Sequence, residues 1–294
     1  MKQTILGAIC FSLAASIWGG MYVVSKYVLD FIPPLTLVWL RFIIAFVVLY
    51  AISKIAEKKQ EKKVTIRKKD WLLLAWIGFI GYFISITCQF IGTKLSDAHT
   101  GSLVTSATPS FMVIFAAIIL KEKLTTRRLL STIIATIGVI IVIGWDIEIG
   151  SYFIGTIILV GAAITWALLS IYVKIASAQF SSLVITTYAI FFSLFFITPF
   201  MIWELQSTSI ETVNTYVILG VVYLGVVSTA GAFFLWNKGL ELMDASIGSL
   251  FFFFQPIVGS LLGWLLLNEA LNSNFFIGGI LIVCSVFITT FEKK

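Results

Sequence analysis

The chain has 294 residues, 60% of them hydrophobic and 12% charged, with a formal net charge of +6. A soluble domain is nearer half apolar and a quarter charged, so this composition excludes an ordinary soluble protein. Three cysteines, Cys10, Cys88 and Cys284, all sit in apolar runs; they exclude a disulfide scaffold and are expected to be inert thiols.

In chain order, apolar runs long enough to span a bilayer fall at about 5–25, 33–53, 71–92, 97–120, 127–145, 152–174, 181–203, 214–236, 243–267 and 272–291. Met1-Lys2 leads straight into the first run with no small-residue cleavage site after it, so a helix is expected there rather than a leader. Pro33-Pro34 opens the second. The longest polar stretch, Lys54–Asp70, reads as a basic linker near anionic lipid. Later breaks fall at Lys94–Asp97, Lys121–Arg128, Asp146–Ser151 and Glu204–Asn214. Ten crossings put both termini on one side. With the N-terminus inside, the inner segments hold Lys2, the cluster from Lys54 to Lys69, Lys121, Lys123, Arg127, Arg128, Lys174, Lys238, Lys293 and Lys294, and the outer ones only Lys26 and Lys94. This bias predicts cytoplasmic termini in a bacterial cell membrane, and it accounts for the net charge without nucleic acid as a partner.

Residues 96–124 recur at 243–271, each position repeated 147 residues on (97 to 244, 101 to 248, 109 to 256, 122 to 269). Asp97-Ala98-His99-Thr100-Gly101-Ser102-Leu103 returns as Asp244-Ala245-Ser246-Ile247-Gly248-Ser249-Leu250. Pro109 returns as Pro256 and Glu122 as Glu269. One residue further out of step, Ala14-Ala15-Ser16-Ile17-Trp18 matches Ala162-Ala163-Ile164-Thr165-Trp166, and Lys26 matches Lys174. The expected halves are residues 1–146 and 147–294, each with five helices. A tandem copy of an odd-numbered unit is inverted across the membrane. The expected fold class is therefore an all-α integral membrane protein of ten transmembrane helices in two inverted five-helix repeats.

Several marks carry a family resemblance: Trp18-Gly19 after small residues, Trp39-Leu40-Arg41-Phe42, the two Asp-Ala-x-x-x-Gly-Ser-Leu openings, the mid-helix prolines and the Glu-x-Leu ends. Over essentially its whole length the chain resembles the drug/metabolite transporter superfamily, specifically its ten-helix EamA branch. The resemblance implies a central cavity among helices 1, 3, 4, 6, 8 and 9. It also implies export, or sometimes uptake, of small metabolites such as amino acids.

Arg41 is the most costly residue, a charge about eight residues into helix two with no carboxylate well inside any helix. It reads either as an anchor for a substrate carboxylate or as a structural or snorkelling arginine. Lys26 and Lys174, one near each mouth by symmetry, read as gating residues or as interfacial anchors. His99 reads as a solvated helix-start residue. Pro109 and Pro256 should kink their helices and free carbonyls toward the bundle interior, making Thr105, Ser106, Thr108 and Gln255 cavity candidates. Trp18, Tyr22, Tyr82, Trp166, Tyr172, Tyr223 and Trp236 lie on the helices that the resemblance places around the cavity. Gln89, and Phe252 from the Phe251–Phe254 turn, complete the candidate substrate-binding set. Gly259-x-x-x-Gly263 reads as helix packing or a dimer face, so monomer and homodimer both stay open.

No Gly-Lys-Ser/Thr nucleotide loop occurs, and no cofactor, metal or catalytic residue is expected. The expected activity is secondary transport, in the outward direction, of a small organic metabolite by alternating access, with protons as the candidate coupling ion. Multidrug efflux is the alternative; a membrane enzyme or a non-transporting sensor finds no support in the residues.

Overall fold

The computed structural model describes residues 2–60, 66–143, 150–211, 213–267 and 273–290. Among them there is no strand. The helices are α1 (Lys2–Leu29), α2 (Pro34–Gln60), α3 (Lys68–Leu95), α4 (Ala98–Thr105 and Thr108–Ile119), α5 (Thr126–Ile143), α6 (Ser151–Ala176), α7 (Ser182–Ser207), α8 (Thr215–Leu242), α9 (from Ala245, its last piece Phe254–Leu267) and α10 (Ser273–Thr290). Eight of these, α1 to α4 and α6 to α9, are long and apolar enough to cross a membrane, and α5 holds a shorter apolar stretch, Leu129–Gly138. Glu269 lies outside the described residues, as does the side chain of His99.

Most helices run past their apolar cores. The second was expected to stop near 53, yet α2 reaches Gln60; the eighth was expected to stop near 236, yet α8 reaches Leu242. Hydropathy marks the length that faces lipid, whereas the backbone hydrogen-bond ladder continues as long as nothing breaks it. On α2 the extension carries a Lys54–Glu57 ion pair at 2.8 Å.

Both proline sites lie beside interruptions of the regular α-helix. Pro109 lacks an N–H, and its ring crowds the Thr105 carbonyl one turn back. The helix breaks at residues 106–107, and the Thr108 hydroxyl donates to the freed Thr105 carbonyl at 2.6 Å. Ahead of Pro256 the chain tightens into a 3₁₀ segment, Ser249–Phe253. A second doubled feature was not expected. α3 widens into a π-helix over Gly78–Ser85, and α8 does the same over Val226–Gly231, at matching places in the two halves. Such wide turns loosen the i to i−4 ladder and release carbonyls for other partners.

Helix pairing follows the repeat. α1 packs on α8 and α9, and α6 packs on α3 and α4; α2 pairs with α7, and α5 with α10. Glycines allow two of the crossings. A Cβ on Gly19 would lie 2.7 Å from the Gln255 carbonyl, and one on Gly155 would lie 2.9 Å from the Gly92 carbonyl. Backbone cannot give way as a side chain can, so α1–α9 and α3–α6 approach only through glycine. Gly259 faces Gly19 and Ser102 of its own chain, which makes it an internal packing position.

Candidate functional site: a closed aromatic cavity at the bundle centre

Six helices meet around a closed cavity. α1 contributes Trp18 and Met21; α3 gives Ser85, Ile86 and Gln89; α4 gives Thr105 and Thr108. α6 adds Ala162, Ala163 and Trp166, α8 adds Phe233, and α9 adds Phe252 and Gln255. The room inside is about 10 Å³, enough for about one water molecule. The rings fill the rest. Trp18 packs edge-on to Trp166 at 5.1 Å between centroids, and it also meets Phe233 at 5.9 Å, Trp236 at 5.3 Å and Phe252 at 5.8 Å. Trp166 lies 5.2 Å from Phe233, which stacks on Tyr82 at 4.7 Å. Aromatic rings thus pack against one another across the centre of the bundle.

A short polar chain runs along one wall. Gln89 Nε2 donates to the Tyr22 hydroxyl at 2.5 Å. Tyr22 shares a 2.6 Å hydrogen bond with Thr105 Oγ1, which lies 3.4 Å from Gln255 Oε1. Four helices, α1, α3, α4 and α9, are thus joined through side chains. Two buried atoms at the cavity have no partner among the described residues: the acceptor Gln89 Oε1 and the donor Trp166 Nε1. The second is informative because Trp166 has a twin. Trp18 occupies the matching place in the first half, and its Nε1 donates to the Ser228 carbonyl, inside the π segment of α8, at 3.1 Å. The repeat supplies two equivalent indoles, and among the described residues only that of Trp18 has an acceptor.

The structure therefore brings Trp18, Gln89, Thr105, Thr108, Trp166, Phe252 and Gln255 to the cavity wall, with Tyr22 bonded directly behind it. Trp236 and Tyr82 lie one layer back. Trp236 Nε1 donates to Ser170 Oγ at 3.2 Å, and Asn237 Nδ2 donates to Tyr82 at 2.9 Å and to Thr186 at 2.8 Å. Ser106, Tyr172 and Tyr223 are not at the cavity. Ser106 donates to the Leu103 carbonyl at 2.6 Å, Tyr223 to the Ile17 carbonyl at 3.1 Å, and Tyr172 packs edge-on to Trp76. Sequence reasoning missed Met21, Ser85, Ile86, Phe233 and the Ala162-Ala163 pair. The alanines were visible as part of the repeat, and small residues beside an inward Trp could have signalled the space they leave.

Arg41 is fully buried, which rules out snorkelling. Its Nε donates to Thr229 Oγ1 at 2.7 Å and its Nη2 to Ser228 Oγ at 3.1 Å. The guanidinium also lies 4.8 Å from the Phe90 ring centre and 5.8 Å from that of Phe233.

Lys26 and Lys174 reach helix ends. Lys174 Nζ donates to the carbonyls of Leu240 and Met243, each at 2.7 Å. Lys26 Nζ donates to those of Thr93 at 3.3 Å, Lys94 at 3.4 Å and Ser96 at 2.7 Å. Thr93 and Ser96 stand 147 positions before Leu240 and Met243, so the two lysines make the same contact in each half. Terminal helix carbonyls lack intrahelical partners and carry partial negative charge, which suits an ammonium group. Glu122 works on the same junction from the other side. Lys121 turns the chain with φ 56°, Glu122 N–H bonds back to the Ala116 carbonyl at 3.2 Å, and the carboxylate accepts from the Ala245 N–H and the Ser246 hydroxyl at the start of α9. Lys174→Met is expected to lower stability by about 1–2 kcal/mol, since charge-assisted bonds are worth ~1.5–3 kcal/mol each before discounting for a half-exposed amine. Thermal unfolding in detergent reads this directly. Unchanged unfolding alongside impaired transport would assign the lysines to solute steering instead.

Comparison with known proteins gives a consistent picture. A family model described as the EamA-like transporter family matches residues 5–144 and again 153–291. The uncharacterized transporter YetK of Bacillus subtilis is 27% identical over 298 residues, covering 100% of this chain and 89% of the relative. A protein of Escherichia coli described as a probable amino-acid metabolite efflux pump is 26% identical over 293 residues, covering 96% and 94%. A solved crystal structure, titled only as that of a protein, superposes with a TM-score of 0.76 at 21% identity, covering 98% of this chain and 96% of the other. That last likeness shows the fold.

Proposed function

The chain belongs to the EamA-like transporter family, a family of multi-pass membrane transporters rather than enzymes, and from that premise we propose that it exports a small amphipathic metabolite, amino-acid-like in size, through the central cavity. The observation that carries this reading is the pair of partnerless atoms. A buried acceptor at Gln89 and a buried donor at Trp166, set among aromatic rings, call for a solute with an apolar body and polar groups of both kinds. Leaving such atoms unmet costs about 1–3 kcal/mol each, a cost that a bound solute removes. The E. coli relative described as a probable amino-acid metabolite efflux pump is compatible with a solute of that kind.

Alternating access is proposed to work between residues 1–146 and 147–294, inverted relative to one another, with both termini cytoplasmic in the cell membrane. The mirrored helix pairs, the twin π segments and the twin lysine contacts support this division. The closed cavity corresponds to the occluded state, and opening either mouth would separate the rings around Trp18. The proposed coupling is to a proton or solute gradient. Among the described residues the cavity wall has no carboxylate, which weighs against a dedicated exporter of organic cations.

Counterflow in proteoliposomes tests the proposal, using a panel of amino acids, sugars and quaternary amines. Exchange of amphipathic solutes in the amino-acid size range is the expected result. If folded protein exchanges none of them, the transport reading of this cavity fails; if quaternary amines exchange best, multidrug efflux replaces it.

A further inference from the structure

We propose that Arg41 is an anion subsite of the central cavity and that Met21 is the side chain displaced to open it, so that the transported solute carries one carboxylate. The inference rests on the transport reading above and adds the charge of the solute. Arg41 is 0% exposed, and none of the ion pairs among the described residues involves it. A guanidinium has five N–H donors. Here Nε and Nη2 reach neutral hydroxyls, while the partner of Nη1 is the Met21 sulfur at 3.5 Å. A thioether is a weak acceptor. A charge held at this depth by two hydroxyls, a sulfur and two ring faces has little to balance it.

The placement supplies the route. Met21 and Phe233 both line the cavity, and both also touch the guanidinium. One flexible, unbranched side chain therefore stands between the cation and the space where a solute would sit, and methionine repacks at low cost. With the sulfur swung aside, Nη1 would face the cavity as an open donor on a planar fork that matches a carboxylate. A second anionic group finds no second cation, because the amines of Lys26 and Lys174 are held at helix ends. The site therefore suits a monocarboxylate with an apolar or aromatic body, placed against Trp18 and Trp166.

The test uses matched pairs that differ only at the acid: 3-phenylpropionate with 3-phenylpropionamide, and 4-methylpentanoate with 4-methylpentanamide. Binding to the full chain in lipid nanodiscs is read by tryptophan fluorescence and by the shift in unfolding temperature. Each acid is expected to bind about tenfold or more tighter than its amide, the scale of a charge-assisted hydrogen bond. Arg41→Lys, which keeps the charge and loses the fork, should erase most of that preference. Met21→Leu, similar in volume and without an acceptor, should enlarge it; this variant also serves if Arg41→Lys does not fold. Equal binding of acid and amide overturns the proposal, as does an unchanged preference in Met21→Leu or failure of both acids to bind. Should that happen while neutral solutes still exchange in proteoliposomes, transport through the cavity stands and Arg41 is structural. Should no solute exchange at all, both readings fall.

Discussion

Trp166→Phe is expected to lower solute exchange by about tenfold or more while costing clearly less thermal stability than the matching change at Trp18. The substitution keeps an aromatic ring in the cavity wall and removes Nε1, which has no partner among the described residues, together with two ring carbons, a packing loss that Trp18→Phe shares. In the empty protein that donor contributes only a desolvation cost, so its loss is neutral or mildly stabilising. In the loaded protein it is a hydrogen bond to the solute, and ~1.4 kcal/mol corresponds to a factor of about ten in binding. The matching change in the other half should cost more stability. Trp18→Phe deletes a bond to the Ser228 carbonyl, inside the π segment of α8, and with it the one hydrogen bond among the described residues from this indole to α8. Unfolding temperature should fall, by an amount equivalent to about 1–3 kcal/mol. Parallel measurements of counterflow and thermal unfolding on both variants decide the matter. If Trp166→Phe destabilises the protein as much as Trp18→Phe does, the Trp166 donor has an internal partner and the site loses its main support.

This pair also shows where reading the sequence stops. Trp18 and Trp166 stand in the same motif, and nothing within the motif distinguishes them. Their difference arises from a helix more than two hundred residues away from Trp18, through one carbonyl that lies inside a π segment. Spanning helices were legible because hydropathy reports the surface that lipid touches, and the duplication was legible because it is written in identities. The interruptions beside Pro109 and Pro256 were legible because a missing N–H acts locally. The π segments carry no such local mark, and without them neither the Trp18 bond nor the Thr229 and Ser228 hydroxyls that hold Arg41 could be placed. Arg41 shows the same limit, since its depth could be counted along α2 while its partners lie on α8. The lysines were found as a symmetric pair, yet what they touch depends on how α3 and α8 end. Ser106 was chosen with its neighbours Thr105 and Thr108, but a kinked helix turns successive residues to different sides, and its hydroxyl closes on the Leu103 carbonyl.

Glu204→Ala is expected to cause the largest stability loss of the changes considered, about 2–4 kcal/mol, seen as an unfolding temperature several degrees lower. The sequence placed Glu204 at the start of a loop; it lies instead in the last turns of α7, 7% exposed, with its carboxylate aimed at the beginning of α2. It accepts from the Leu35 N–H at 3.1 Å, the Thr36 N–H at 2.7 Å and the Thr36 hydroxyl at 2.8 Å. The first N–H groups of a helix have no intrahelical acceptor, and Pro34 has none to offer, so Leu35 and Thr36 are the first that need one. A carboxylate there also sits at the positive end of the helix dipole. The start of α7 is less dependent on one residue, because Ser181 caps its own helix while Glu241, already paired with Lys238, reaches Ser182 as well. Alanine at 204 leaves three donors without that acceptor and loosens the antiparallel α2–α7 pair, across which Trp39 also donates to Thr198 at 3.0 Å. An open cleft of about 300 Å³ lined by Pro33, Lys94 and Glu211 adjoins the site. Water entering from it can recover part of the loss, which sets the lower end of the range. Glu204→Gln separates the two contributions, since the amide oxygen can still accept while the charge is gone. A loss of about 1 kcal/mol in that variant assigns most of the effect to hydrogen bonding; a loss equal to that of alanine assigns it to charge at the helix end.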